Sequence, residues 1–217
     1  MHIFITDVSS RPAARGLRHR IAFCTLLVAG FAASPVSASP VQPIQVPMSA
    51  ENFEIPAPKA GSPTGGPQFV QFLGRRAVYL PSGLIGVKGS KLRDGTIDVD
   101  VASKPGGLFA GIAFRVESDA NLEIVYLRPL ATDTIEAMQY TPRLNGDAIW
   151  QLLNSSHEKA RAHFPKDQWF HVRLVVSGRS CNVFVNHSQG PTMGTSPRRL
   201  PPIRFSRSDT ATKSWCI

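Results

Sequence analysis

One stretch of the chain concentrates side chains able to do chemistry on a small polar ligand: Arg115, Glu123, Tyr126, Arg128, Gln139, Tyr140 and Trp150. Two guanidiniums and a carboxylate supply charged hydrogen bonds, and an amide supplies both a donor and an acceptor. The aromatic rings add apolar faces. Such a set suits a ligand rich in hydroxyls, stacked through its CH face and oriented by a few polar groups. The same residues admit a structural reading. Arg115 or Arg128 would neutralise Glu123 across a sheet, since buried charges are paired, and Tyr140 and Trp150 would fill a core. Glu123 and Arg128 are an odd number of residues apart and face opposite sides of a strand, so Arg115–Glu123 is the pair that parity selects.

Carboxylates elsewhere offer acid–base chemistry less clearly. Asp98 and Asp100 share one strand face about 7 Å apart at ~3.3 Å per residue. No glutamate accompanies them, and the alternation around them makes that face the wet one. Were the chain an enzyme, Glu123 or Asp100 would be its general base. Asp119, Asn121 and Asp133 could offer oxygen ligands to calcium, or serve as ordinary turn residues that bond locally. His157, His163, His171 and His187 show no HxH or HExxH spacing, which argues against zinc. There is no GxSxG, no glycine-rich loop opening a helix and no CxxC. Hydrolase triads, nucleotide binding and dithiol redox chemistry are therefore unsupported.

The elements that must position these residues read as strands. Leu108 to Trp150 divides into four short segments, cut at 118–121, at 129–133 and at Asn145-Gly146. Turn residues every 8–12 positions are the pattern of an antiparallel β-sandwich or barrel. Residues 121–128 are apolar on both faces, with Leu122, Ile124 and Tyr126 on one side and Val125, Leu127 and Glu123 on the other. Such a strand is expected at the centre of a sheet. Asn145-Gly146 predicts a type I′ hairpin. Asp94-Gly95 opens a strand in which Ile97, Val99 and Val101 alternate with Thr96, Asp98 and Asp100. Phe170, Val172, Leu174 and Val176 alternate with His171, Arg173 and Ser177 in the most regular strand, and Ser177-Gly178 turns it into 181–185. Hairpin strands are expected over 68–80, strands over 135–140 and 148–153, an edge strand at 52–55 and a loop over 155–168. Trp169 reads as core.

The net charge of +9 is carried largely outside this region. Residues 40–186 hold 15 basic and 13 acidic groups, the excess lying in 1–39 and 187–217. A nucleic-acid binder would show its basic stripe on the folded surface, so that class is excluded. Arg11, Arg15, Arg18 and Arg20 precede an apolar run over 21–33 and the small-residue ending Val36-Ser37-Ala38. These are the parts of a signal peptide ending at Ala38, with an uncleaved anchor as the alternative. The run is short of the roughly 20 residues a span needs, so after cleavage no membrane span is expected and the chain is periplasmic or extracellular. Residues 39–67 are a proline-rich lead-in, and 187–217 a basic, proline- and serine-rich irregular tail. Cys181 and Cys216 would remain to pair or not in an oxidising compartment.

GIAFR (111–115), NLEIVYLRP (121–129), MQYTP (138–142), NG (145–146), Trp150 and WFHVRLVVSG (169–178) resemble, in order and spacing, the concanavalin A-like lectin/glucanase superfamily. The branch they resemble is the laminin-G-like and 3-keto-disaccharide-hydrolase-like domains of exported bacterial proteins. The resemblance covers residues 51–186 and implies an all-β jelly-roll sandwich of two antiparallel sheets, with sugars met on the concave face or its rim. Members of the superfamily usually continue with further strands where this chain has its tail, which a truncated or frame-shifted reading frame or natural divergence would produce. Retaining glucanases of this fold carry two glutamates and an aspartate on alternate positions of one strand, because their chemistry needs carboxyls about 5–5.5 Å apart. No ExDxxE string occurs here.

These observations lead to an exported carbohydrate- or glycoconjugate-binding sandwich without hydrolytic machinery, needing no cofactor. The face expected to do the binding carries Arg115, Tyr126, Gln139 and Trp150. Two alternatives stand beside it: a glycoside hydrolase or lyase acting on modified sugars such as 3-keto sugars, and a structural or adhesion module whose partner is a protein.

Overall fold

The computed structural model describes residues 3–12, 43–56, 66–81, 83–90, 92–103, 109–152, 157–195 and 213–216, the first and last of these as backbone only. The apolar run of the expected leader and residues 196–212 of the tail lie outside the described residues. Strands are numbered in chain order. Sheet A runs β15 (Met193–Thr195), β14 (Ser180–Val185), β13 (Phe170–Ser177), β7 (Gly95–Ser103), β1 (Ile3–Pro12), β5 (Arg75–Leu80) and β4 (Gln68–Phe72), with β2 (Ile44–Val46) beside β1. Sheet B runs β11 (Asp147–Ala148), β10 (Met138–Leu144), β9 (Asn121–Leu127), β8 (Ala110–Ser118), β16 (Lys213–Cys216), β6 (Ile85–Val87) and β3 (Phe53–Glu54), with β12 (Lys159–Ala160) beside β10. The pairings are antiparallel. Among the described residues the other elements are two short 3-10 turns, Ala50–Asn52 and Pro129–Ala131, and no helix is long and apolar enough to cross a membrane.

The sheets pack because alternation gives each one apolar face. Ile97, Val99 and Val101 of β7 meet Phe170, Val172, Leu174 and Val176 of β13 in one interior with Ile112 and Phe114 of β8, and Val125 and Leu127 of β9. β9 lies centrally between β8 and β10 and is covered on both faces, as its sequence predicts: Leu122 and Ile124 pack with Ala113, Val116 and Tyr126 on the outer side. Asn145 and Gly146 take φ of +52° and +94°, the paired positive values that a two-residue hairpin needs. They join Leu144 to Asp147.

Several expectations change. The strand expected from Ile135 begins at Met138, and the one expected over 148–153 ends at Ala148, so Trp150 stands in a turn. The loop over 155–168 contains the paired β12 and the buried Phe164, whose ring lies 4.8 Å from that of Phe170. The strands also reach beyond 51–186. β15 extends sheet A, and each sheet takes one strand from an end of the chain: β16 between β8 and β6, and β1 between β7 and β5. β1 falls inside the segment read as a leader.

Candidate functional site

Three groups of polar side chains stand out, and the sequence-selected residues divide among them. The first is organised by a bulge. Simple alternation would place Arg115 on the outer face of β8 with Gly111 and Ala113. Instead the register with β9 shifts between Phe114 and Ser118, and Arg115 takes φ of +48°. Bulges re-aim side chains in this way, and here Arg115 crosses to turns of sheet A. Its Nη1 donates to Glu123 Oε1 (3.2 Å), and its Nε to the Arg93 carbonyl (2.9 Å). Its Nη2 donates to Asp94 Oδ1 (2.9 Å) and to the Gly178 carbonyl. Glu123 Oε2 accepts from the Tyr140 hydroxyl at 3.1 Å. Burial first, then the charge of Glu123, pushes the Tyr140 phenol far above its ordinary range. Cys181 is a free, buried thiol nearby, pushed up to about 12 by burial and then by Glu123. The Arg115–Glu123 pair selected by parity is present. The grouping of Arg115 with Tyr126, Gln139 and Trp150 on one face does not hold, and Tyr140 faces the interior.

The second group covers the outer face of sheet A. His171 stands between the carboxylates of β7, with Nδ1 2.8 Å from Asp100 and Nε2 3.0 Å from Asp98. Arg173 Nε donates to Asp98 (2.6 Å) and Arg75 Nη1 to Asp100 (2.6 Å). Two acceptors require a donor at each ring nitrogen, so His171 is an imidazolium. The bonds to Asp100 and then Asp98 push its pKa up to about 9. Burial alone would raise both carboxyls, but the bonds from His171, with Arg173 at Asp98 and Arg75 at Asp100, hold them below their usual range. The face expected to be wet is therefore a partnered network in which Asp98 is buried. His187 stacks on His171 with ring centroids 4.5 Å apart. Trp169 is half-buried at the margin of this face, under Arg75 and edge-on to Phe72.

The third group lies on the outer face of sheet B. The register puts Gly111, Tyr126, Gln139 and Lys159 in one row across β8, β9, β10 and β12. Phe109 lies edge-on to Tyr126 (6.3 Å) and 5.7 Å from the Arg128 guanidinium. Gln139 is fully buried. Its Oε1 accepts from Arg128 Nη2, and its Nε2 donates to the Trp150 carbonyl at 3.0 Å. Gln139 thus positions Arg128 and the Trp150 turn and is itself covered. Phe109 and Trp150 remain 41% and 45% exposed. Glu136 completes the group, its two oxygens taken by Arg128 Nη1 (3.0 Å) and Lys159 Nζ (2.5 Å). The bond from Lys159 comes first among the causes that lower its pKa. Glu136 and Lys159 were not singled out in the sequence; the signal for Lys159 is its place opposite Gln139, which needs the register.

Asp119 and Asn121 lie at the start of β9, and Asp133 lies beyond its far end, about 20 Å away at 3.3 Å per residue. Asn121 caps the Asn145 amide, and Asp133 faces His163 at 3.0 Å. Among the described residues no group of three or more His, Cys, Asp or Glu is placed to hold a metal ion. Glu123 and Asp100 stand on different sheets, each already ion-paired.

No protein-family model matches the chain, and no curated protein matches it. Among solved structures it is similar to the carbohydrate-binding module CBM66 from Bacillus subtilis, at 9% identity over 61% of this chain and 83% of that one, with a TM-score of 0.31.

Proposed function

We propose that this chain binds a carbohydrate or glycoconjugate on the outer face of sheet B without hydrolysing it. The observation that carries the reading is the company the exposed aromatics keep. Phe109 stands with Tyr126 beside Arg128, which Gln139 and Glu136 bond; Glu136 also bonds Lys159, and the exposed Trp150 sits in the turn whose carbonyl Gln139 bonds. An apolar ring face beside fixed charged and polar groups matches the two surfaces of a pyranose. Glu136 is the carboxylate of this group, whereas glycoside hydrolysis uses a pair. Titration calorimetry against a glycan panel tests the reading. Binding that weakens at least about ten-fold in Trp150→Ala, the scale of a lost stacking anchor, supports it; silence across the panel overturns it.

Two finer points belong to the same proposal. The connections of the two sheets are those of a concanavalin A-like jelly roll, supported by the motif order in 111–178. The chain is exported by a leader ending at Ala38, supported by its basic, apolar and small-residue segments, and the processed form would lack β1, which stands between β7 and β5 in the full chain. Mass spectrometry of the secreted form decides the second point, and an unprocessed Met1 would sink it.

A further inference from the structure

Arg128 and Lys159 are largely withdrawn from water, with 16% and 11% of their side chains exposed. Two cations held this close and this dry require an anion, because an uncompensated buried charge is strongly unfavourable. Glu136 supplies it from an unusual position: its own side chain is 46% exposed. One carboxylate oxygen faces the guanidinium and the other the ammonium. Each of these is a charge-assisted contact, shorter and stronger than a neutral hydrogen bond. Glu136 therefore sits where the acid group of a ligand would sit, reaching in from the solvent side, on the segment just before β10. The Phe109 ring lies against Arg128 and Tyr126, so an apolar surface borders the carboxylate position.

We propose that Arg128 and Lys159 form a carboxylate subsite, that the ligand class is a glycan bearing uronic acids, and that Glu136 is a displaceable internal occupant of that subsite. The inference rests on the carbohydrate reading above and names its ligand. Water compensates the half-exposed Glu136 carboxylate when it leaves, while the two shielded cations need an incoming anion to take its place. A uronate arriving with its own carboxylate restores the same contacts and adds ring stacking. Glu136 then turns outward. Free Glu136 acts as a competitor, and its strength sets how much the subsite is masked.

The test uses the full-length chain and its variants with four probes: tetragalacturonate, the same tetramer reduced at its carboxyls, a sulfated tetramer, and an oligoglutamate of equal charge. Wild-type protein is expected to prefer tetragalacturonate over the reduced tetramer. Glu136→Gln and Glu136→Ala each remove the competitor and should tighten tetragalacturonate binding by about three- to ten-fold, the scale of one half-exposed competing carboxylate, with no gain for the reduced tetramer. Lys159→Met should lose at least about ten-fold for tetragalacturonate alone, as expected for one charge-assisted contact. Unchanged or weaker tetragalacturonate binding in both Glu136 variants, with Trp150-dependent binding of the reduced tetramer retained, overturns the carboxylate subsite and leaves the carbohydrate reading standing. Preference for the sulfated tetramer or for oligoglutamate overturns the assignment to uronates. No binding of any sugar by wild type overturns both.

Discussion

Arg115 and Arg128 are shielded almost equally, with 12% and 16% of their side chains exposed, and they differ in the anions that answer them. Arg115 is held by Glu123 of β9, itself 16% exposed, by Asp94, 37% exposed, and by the Arg93 and Gly178 carbonyls of two turns. Its charge is satisfied from within the fold, at a backbone bulge that exists to aim it there. Arg128 is answered by an exposed carboxylate, by the amide of Gln139 and by an aromatic ring. The first arrangement gives nothing to a ligand without breaking the sandwich. The second can exchange its carboxylate for another at small cost. What separates a structural cation from a binding one is thus whether one of its counter-ions is shielded, as Glu123 is and Glu136 is not, and the depth of the cation itself tells little.

The comparison is most directly broken by stability measurements. Arg115→Ala removes the ties from β8 to the Asp94 and Gly178 turns and leaves Glu123 with the Tyr140 hydroxyl but without its guanidinium. A loss of about 3–5 kcal/mol in urea unfolding is expected, the range for removing one member of a shielded ion pair. Equal losses in Arg115→Ala and Glu123→Ala, with strong non-additivity in the double variant, would show that the pair acts as a unit. A loss below about 1 kcal/mol would place Arg115 back among the ligand-binding candidates.

The outer face of sheet A should behave like Arg115, and pH reports it. The pKa of His171 is raised in the folded state to about 9. Its contribution is therefore complete below the unfolded value near 6.5 and is lost as pH rises through about 9. Asp98 and Asp100 are lowered, so theirs is present above the unfolded value near 3.8 and is lost as pH falls further. The unfolding free energy should hold between about pH 4.5 and 6.5 and decline toward pH 9–10, by an amount on the order of 2–3 kcal/mol. His171→Leu should be less stable at pH 6 and flat above it. An alkaline decline of the same size in that variant would remove His171 as its cause.

Much of this was legible in the sequence, for a physical reason that also marks where legibility stops. A period of two fixes which face of β7, β9 and β13 turns inward, and paired positive φ fixes the Asn145-Gly146 hairpin, so these follow from local chemistry. Parity even selected Arg115–Glu123. It failed one step later, because the bulge after Phe114 inverts the face and no residue type announces it. Asp98 and Asp100 read as wet because alternation cannot reveal that His171, Arg173 and Arg75 arrive from other strands to cover them. Lys159 and Glu136 fell in segments read as a loop and as the start of a strand. Their meeting depends on which strand lies beside β10, a long-range pairing that no local pattern encodes.

The smallest expected effect is also the sharpest test of the contrast. Lys159→Met keeps most of the apolar stem that packs over the sheet and deletes the ammonium. The carboxylate it leaves, Glu136, is 46% exposed, is already bonded to Arg128 and can take water in place of the lost partner. Stability should therefore move by no more than about 1 kcal/mol, the net worth of an ion pair whose remaining member is exposed. Urea unfolding beside Arg115→Ala under one buffer measures the difference. A loss near that of Arg115→Ala would mean that the Arg128–Lys159–Glu136 group holds the β10–β12 pairing together. The exposure of the counter-ion would then no longer distinguish the two arginines.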